Sequence, residues 1–186
     1  MTDILPKLDR LDAFDPALAD LLRPTVERLG YLGEFFQQVG ILPQAMQRFM
    51  DYTKAVKEPL PDSLNELLAL TVCGRMGAEY ERIQHERLSL KLGFTPDWIA
   101  AAAGRPEAPE SALSAQEIRV RALALAMLED QGRGVDDELA AVARDIGPER
   151  TVAVLLQTTR FMTIATLCNS LKLRLPVPSI FDPAAA

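Results

Sequence analysis

The chain contains one histidine, His85, and the residues spaced around it are those best suited to moving protons. On a helix starting near Ala78, positions 78, 81 and 85 fall on one face, because spacings of three and four return to the same side. Glu81 then stands one turn from His85 and can orient its imidazole, while Tyr80 opens the same helix. Glu66 belongs to the preceding helix, across a junction relaxed by Gly74 and Gly77 that is short enough to fold the two helices into an antiparallel hairpin. Such a hairpin brings Glu66, Tyr80, Glu81 and His85 together. An imidazole with an ordinary pKa near 6.5 can give or take a proton at neutral pH, and a nearby carboxylate favours its charged form. The chemistry implied is general acid/base catalysis on a small molecule. Two structural explanations compete with it. His85 could form a surface pair with Glu81 at i, i+4, and Glu66 could serve only as the partner in a helix cap.

The elements that must position these residues are helical. Leu and Ala make up more than a quarter of the chain, and no stretch alternates apolar and polar residues cleanly enough to predict a strand. Asp15-Pro16 predicts a helix start and Gly30 its end. Pro43 opens a helix toward Lys57, ahead of Pro59 and Pro61. Ser63-Leu64-Asn65-Glu66 has the form of a capping box, with Glu66 reaching back to the cap. Further helices are predicted from Ala78 to Leu92, from Thr95-Pro96 to Gly104, from a second capping box at Ser114 to Gln131, from Asp136 or Asp137 to Gly147, and from Pro148 toward Leu173. Residues 104–113, with two prolines, read as a linker. The tail from Pro176 reads as extended and disordered toward its end. The reading is a single all-α domain of seven or eight helices over residues 1–186, in which the C-terminal helices cover the hairpin.

Composition narrows the partners. The formal net charge is −6 and the sequence pI is near 4.9. A dispersed set of Lys and Arg offers no concentrated basic surface, so neither nucleic acid nor an anionic membrane surface is an expected partner. No unbroken apolar run approaches the roughly 18 residues of a membrane span, and residues 1–6 lack the basic and apolar segments of a secretory signal. Cys73 and Cys168 sit in apolar helical patterns, too far apart in sequence for a redox pair or zinc knuckle, and read as reduced thiols of a cytoplasmic protein. Residues 35–50 and 151–171 carry apolar side chains on more than one side, which calls for deep burial or a partner.

The order Glu66, Ala78, Tyr80-Glu81, His85, followed by Gly93 and Pro96-Asp97-Trp98-Ile99, resembles the core of the carboxymuconolactone decarboxylase and alkylhydroperoxidase D-like superfamily. The resemblance spans about residues 35–176 and implies a compact multi-helix bundle. In the peroxidase branch a Cys-x-x-Cys supplies the peroxidatic and resolving thiols. Here those places hold Ala78 and Glu81, so that mechanism does not carry over. The resemblance therefore implies cofactor-free and metal-free acid/base chemistry, decarboxylation or isomerisation, on a small carboxylated or lactone substrate. Catalysis would rest on His85, Glu81, Glu66 and Tyr80. Arg82 and Arg160 are the counter-charges expected for an anionic substrate. The alternatives are an antioxidant oxidoreductase of the alkylhydroperoxidase D type and a non-catalytic oligomeric member of the fold; the family also implies homo-oligomers, trimers or hexamers. Replacing His85 by Gln is expected to abolish activity with little loss of stability.

Overall fold

The computed structural model describes residues 5–182, and what the sequence predicts for the end of the tail lies outside them in part. Among the described residues there are eight α-helices, two short 3-10 turns and no strand, so the chain is all-α. It divides into two compact units: residues up to Lys54 with Leu173–Pro176, and Ala55–Lys172 with the residues from Val177 on.

In the first unit, α1 (Pro16–Leu29) begins where predicted: the Asp15 carboxylate accepts from the backbone N–H groups of Ala17 and Leu18, Pro16 supplies the first helical residue, and Gly30 closes the helix in the left-handed conformation. Leu18 and Leu22, one turn apart, are fully buried with Phe14. The short α2 (Glu34–Val39) follows. Glu34 ties its unit together by accepting from Lys7 Nζ at 2.9 Å and from the backbone N–H of Arg174 at 2.8 Å. The next helix, α3 (Pro43–Lys57), passes into the second unit at Ala55.

The second unit is built around α4 (Asp62–Arg75), in which every residue from Leu64 to Cys73 is buried. A helix buried on all sides must be enclosed by others, and α4 touches α5 (Glu79–Lys91), α6 (Pro96–Ala103), α7 (Ala115–Glu129) and α8 (Asp136–Leu171). Gly74 is required by the α4–α6 approach, since a Cβ there would lie 2.3 Å from the carbonyl oxygen of Ala103. Beside it the Thr71 hydroxyl donates to the Ala102 carbonyl at 3.1 Å. The capping box at Ser114 forms as predicted.

The box at Ser63 does not form. The helix starts at Asp62 with Pro61 as its N-cap and no side-chain cap, so Ser63 lies inside the first turn. Glu66 is thereby freed from the capping role that the sequence also allowed. The two C-terminal helices predicted on either side of Gly147 are continuous in hydrogen bonding, but Gly147 itself is non-helical (φ 80°, ψ 167°) and marks a break before Pro148. By length and a mean hydropathy of 1.3, α8 could cross a membrane, yet 56% of the qualifying stretch is buried within the chain. Its inner face carries Gln157 and Arg160 into hydrogen bonds, as befits a core helix.

Candidate active site

The α4–α5 hairpin turns through Gly77 (φ +63°), with the Ala78 N–H donating to the Cys73 carbonyl at 2.9 Å. The antiparallel return sets the first turn and a half of α4 against the second half of α5. Glu66 is thus opposite His85: His85 Nδ1 and Glu66 Oε2 are 2.7 Å apart. On the other side of the ring, Nε2 lies 3.4 Å from Glu81 Oε1, the i, i+4 neighbour on α5. The two carboxylates differ in depth. The Glu66 side chain is 2% exposed, whereas those of His85 and Glu81 are 16% and 14% exposed. The triad therefore runs from a buried carboxylate, through the imidazole, to a carboxylate at the rim. His85 is not the solvated surface pair that spacing alone permitted.

Electrostatics follow from this order. Burial pushes the His85 pKa down, but the charge of Glu66 and its hydrogen bond, supported by Glu81, override that and raise it to about 9. Burial likewise acts to raise the Glu66 pKa, and the His85 cation and its hydrogen bond, aided by Lys57 and Ser89, bring it below the ordinary carboxylate range. At neutral pH the ring is an imidazolium held by an anion. The Ser89 hydroxyl donates to the same Oε2 of Glu66 at 3.3 Å. Sequence reasoning passed over Ser89, although its place one turn beyond His85 puts it on the same face of α5.

The remaining predicted residues are distributed differently. Tyr80 is buried, and five residues of helix place its Cα roughly 140° around the α5 axis from that of His85. Arg82 donates to Glu86 Oε1, a carboxylate with no exposed surface, and Glu86 Oε2 accepts from the Ser179 hydroxyl at 2.5 Å. Arg82 is therefore engaged in a pair within α5, whose carboxylate also holds the C-terminal tail through Ser179, rather than extended toward a substrate. Arg160 is closer to the proposed chemistry. Its guanidinium stacks over Phe161, with Cζ 3.9 Å from the ring centroid, and the same Phe161 ring meets His85 edge-on at 5.1 Å. A buried chain fixes it: Arg160 Nε donates to Gln157 Oε1 at 2.8 Å, Gln157 Nε2 donates to Asn65 Oδ1 at 2.8 Å, and Asn65 donates to the Leu60 carbonyl at 3.0 Å. Phe161, Gln157 and Asn65 carried no signal in the sequence, because the contacts that tie them to the site, Gln157 to Asn65 and Phe161 to His85, cross between helices.

Both cysteines are free and buried. Burial, reinforced by the negative charge of Glu81, pushes the Cys73 thiol well above its usual range, and the same two causes raise Cys168. No group of three or more His, Cys, Asp or Glu suited to a metal ion occurs among the described residues.

The sequence profile of the carboxymuconolactone decarboxylase family matches residues 43–126, the stretch that holds Glu66, Ala78, Glu81 and His85. Over those residues the chain is similar to the carboxymuconolactone decarboxylase family. Solved structures share its fold. One is an uncharacterized peroxidase-related protein from Ralstonia eutropha JMP134 with an alkylhydroperoxidase AhpD core (TM-score 0.77, 14% identity, covering 89% of this chain and 88% of that one). Another is the debrominase Bmp8, solved with 2,3,4-tribromopyrrole (TM-score 0.80, 17% identity, covering 95% and 94%). A third is a putative antioxidant defence protein AhpD from Agrobacterium tumefaciens (TM-score 0.63, 18% identity, covering 73% and 93%). At these identities the likeness establishes the fold alone. No curated protein matches the sequence. At the two positions where the resemblance would put a Cys-x-x-Cys, this chain has Ala78 and Glu81.

Proposed function

We propose that this protein is a cofactor-free acid/base enzyme of the carboxymuconolactone decarboxylase type, acting in the cytoplasm on a small lactone or other carboxylated substrate. The observation that carries this reading is the Glu66–His85–Glu81 arrangement, with Nδ1 anchored at 2.7 Å on a buried carboxylate and Nε2 turned toward the rim. The inner bond fixes the ring and keeps it charged. The outer contact, at 3.4 Å, is long enough for a substrate atom to displace it.

In the proposed decarboxylation the bond between the substrate carbon and its carboxylate breaks, carbon dioxide leaves, and the electron pair moves into the conjugated lactone carbonyl. The Nε2 proton of His85 is then delivered to the carbon that carries the resulting charge, and water returns a proton to the neutral imidazole. In an isomerisation, Glu81 would accept a proton from one carbon and His85 would supply one to another. Arg160, held rigid by Gln157 and stacked on Phe161 beside the imidazole, is the counter-charge we assign to the substrate carboxylate; Arg82 and Tyr80 act as supports of α5. The alkylhydroperoxidase-type alternative would need a reactive thiolate, and the buried, pKa-raised thiols of Cys73 and Cys168 argue against one.

The test is turnover of carboxymuconolactone and related small lactone carboxylates, followed by carbon dioxide release. General acid catalysis contributes about 100-fold to 10,000-fold, so His85→Gln should lose at least about 100-fold in kcat while retaining wild-type circular dichroism. The wild-type rate should fall as pH rises through about 9, where His85 gives up its proton. Unchanged turnover in a folded His85→Gln protein would overturn the assignment.

A further inference from the structure

Glu86 is a carboxylate that the chemistry above does not use, and its side chain has no exposed surface. Its Oε1 accepts from Arg82, the residue after Glu81. Its Oε2 accepts from the Ser179 hydroxyl at 2.5 Å, so on that side a residue of the tail, and not a helix, excludes water. Among the described residues, the only bond between backbone groups made by segment 177–182 is internal, from the Asp182 N–H to the Ser179 carbonyl at 3.2 Å. Asp182 in turn accepts from the Ser179 N–H at 3.0 Å, which closes the segment on itself. Its polar ties to the helices run through side chains alone. Besides Ser179 on Glu86, the Arg87 guanidinium donates to the Pro178 carbonyl at 3.4 Å, and the Arg105 guanidinium lies 4.3 Å from the centre of the Phe181 ring. A segment without backbone bonds to its neighbours opens and closes as a small local unit.

Opening changes what Arg82 feels. While the segment is closed, Glu86 is walled from water and attracts the guanidinium strongly. Once water reaches Oε2 the pair becomes an ordinary solvated one, which holds weakly. The exposed Glu79, 4.0 Å from Arg82, is a weak competitor for it. Around the α5 axis Arg82 lies about 60° from His85, on the way to Glu86 at about 100°. A released Arg82 side chain therefore swings from Glu86 toward the rim, where Glu81 faces His85 Nε2. We propose that residues 177–182 form a latch. Closed, it commits Arg82 to Glu86; open, it frees Arg82 to hold a carboxylate of the ligand beside His85. The structure holds the closed state, in which Arg82 supports α5. The inference rests on the acid/base reading in one respect, that the ligand is a small carboxylate.

The full chain carrying Ser179→Ala and Phe181→Ala tests the latch, because both positions lie outside the helices and leave Arg82 and Glu86 in place. Amide hydrogen exchange in 177–182 should quicken about tenfold or more while α4 and α8 keep their protection. Ser179→Asp, which sets a second charge against Glu86, should do the same. Succinate serves as the ligand probe, followed through the resonances of the single imidazole. The latch variant should bind it about fivefold more tightly than the wild type. Adding Arg82→Gln with Glu86→Gln, a pair that leaves no buried charge without its partner, should cancel that gain. Unchanged exchange, unchanged succinate binding, or a gain that survives the loss of Arg82 would each overturn the latch. Turnover is not among these readouts, so a failure of the proposed catalysis shows separately, as lactone turnover indifferent to His85→Gln.

Discussion

Because the chain has one histidine, its imidazole proton resonances report His85 alone, and the central electrostatic claim can be read directly. The perturbation is Glu66→Gln, which keeps the size and an acceptor for Nδ1 but removes the buried charge 2.7 Å away. A rise from 6.5 to about 9 corresponds to about 3 kcal/mol of preference for the charged ring. Once Glu66 is neutral, burial still pushes the ring down and only Glu81, at 3.4 Å, pulls it up. The His85 pKa should therefore fall to within about one unit of 6.5. The same quantity appears in stability. His85 has a raised pKa in the folded state, so its contribution is fully present below about 6.5 and is lost as pH rises through about 9. Urea unfolding of the wild type should lose about 3 kcal/mol between pH 6 and 9.5, and Glu66→Gln should be nearly flat over that interval. A wild-type ring titrating near 6.5, or a variant ring still near 9, would refute the reasoning.

Two further outcomes follow from packing. The native protein should not react with a thiol reagent at pH 8, and two thiols should appear on unfolding, because burial of Cys73 and Cys168 disfavours the thiolate; rapid labelling of the folded chain would reopen the peroxidase-type reading. Gly74→Ala would set a methyl group 2.3 Å from the Ala103 carbonyl oxygen and should cost about 1–3 kcal/mol in chemical unfolding; a neutral result would mean that α4 and α6 are not so closely packed.

The one histidine illustrates how local pattern and tertiary burial divide the work. The sequence predicted little loss of stability for His85→Gln, since glutamine keeps the size and some of the hydrogen bonding of the imidazole. Glu66, 1% exposed, changes that expectation: removing the cation leaves a buried carboxylate with only the Ser89 hydroxyl and the more distant charge of Lys57 to support it, a loss we put at about 3 kcal/mol. The capping box at Ser63 misled for a related reason. Ser, two residues and Glu is a local pattern, and with Pro61 as its cap the helix starts two residues earlier, leaving Glu66 to pair with His85 of α5. Arg82 was read as a counter-charge because the sequence does not show that Glu86, four residues on, is wholly enclosed and bonded to Ser179.

The sequence by itself determined most of the helices, α2 excepted, because prolines, glycines and capping residues at Asp15, Thr95 and Ser114 act over three or four residues of chain and depend on little else. It also determined that Glu66, Glu81 and His85 share one hairpin, since a tight turn leaves two helices little choice but to lie side by side. Only the tertiary structure decided which carboxylate is deep and which is at the rim, and that Phe161 meets the imidazole edge-on with Arg160 stacked on it. Depth and enclosure depend on what other helices bring within a few ångströms, and no spacing along a single helix contains that information.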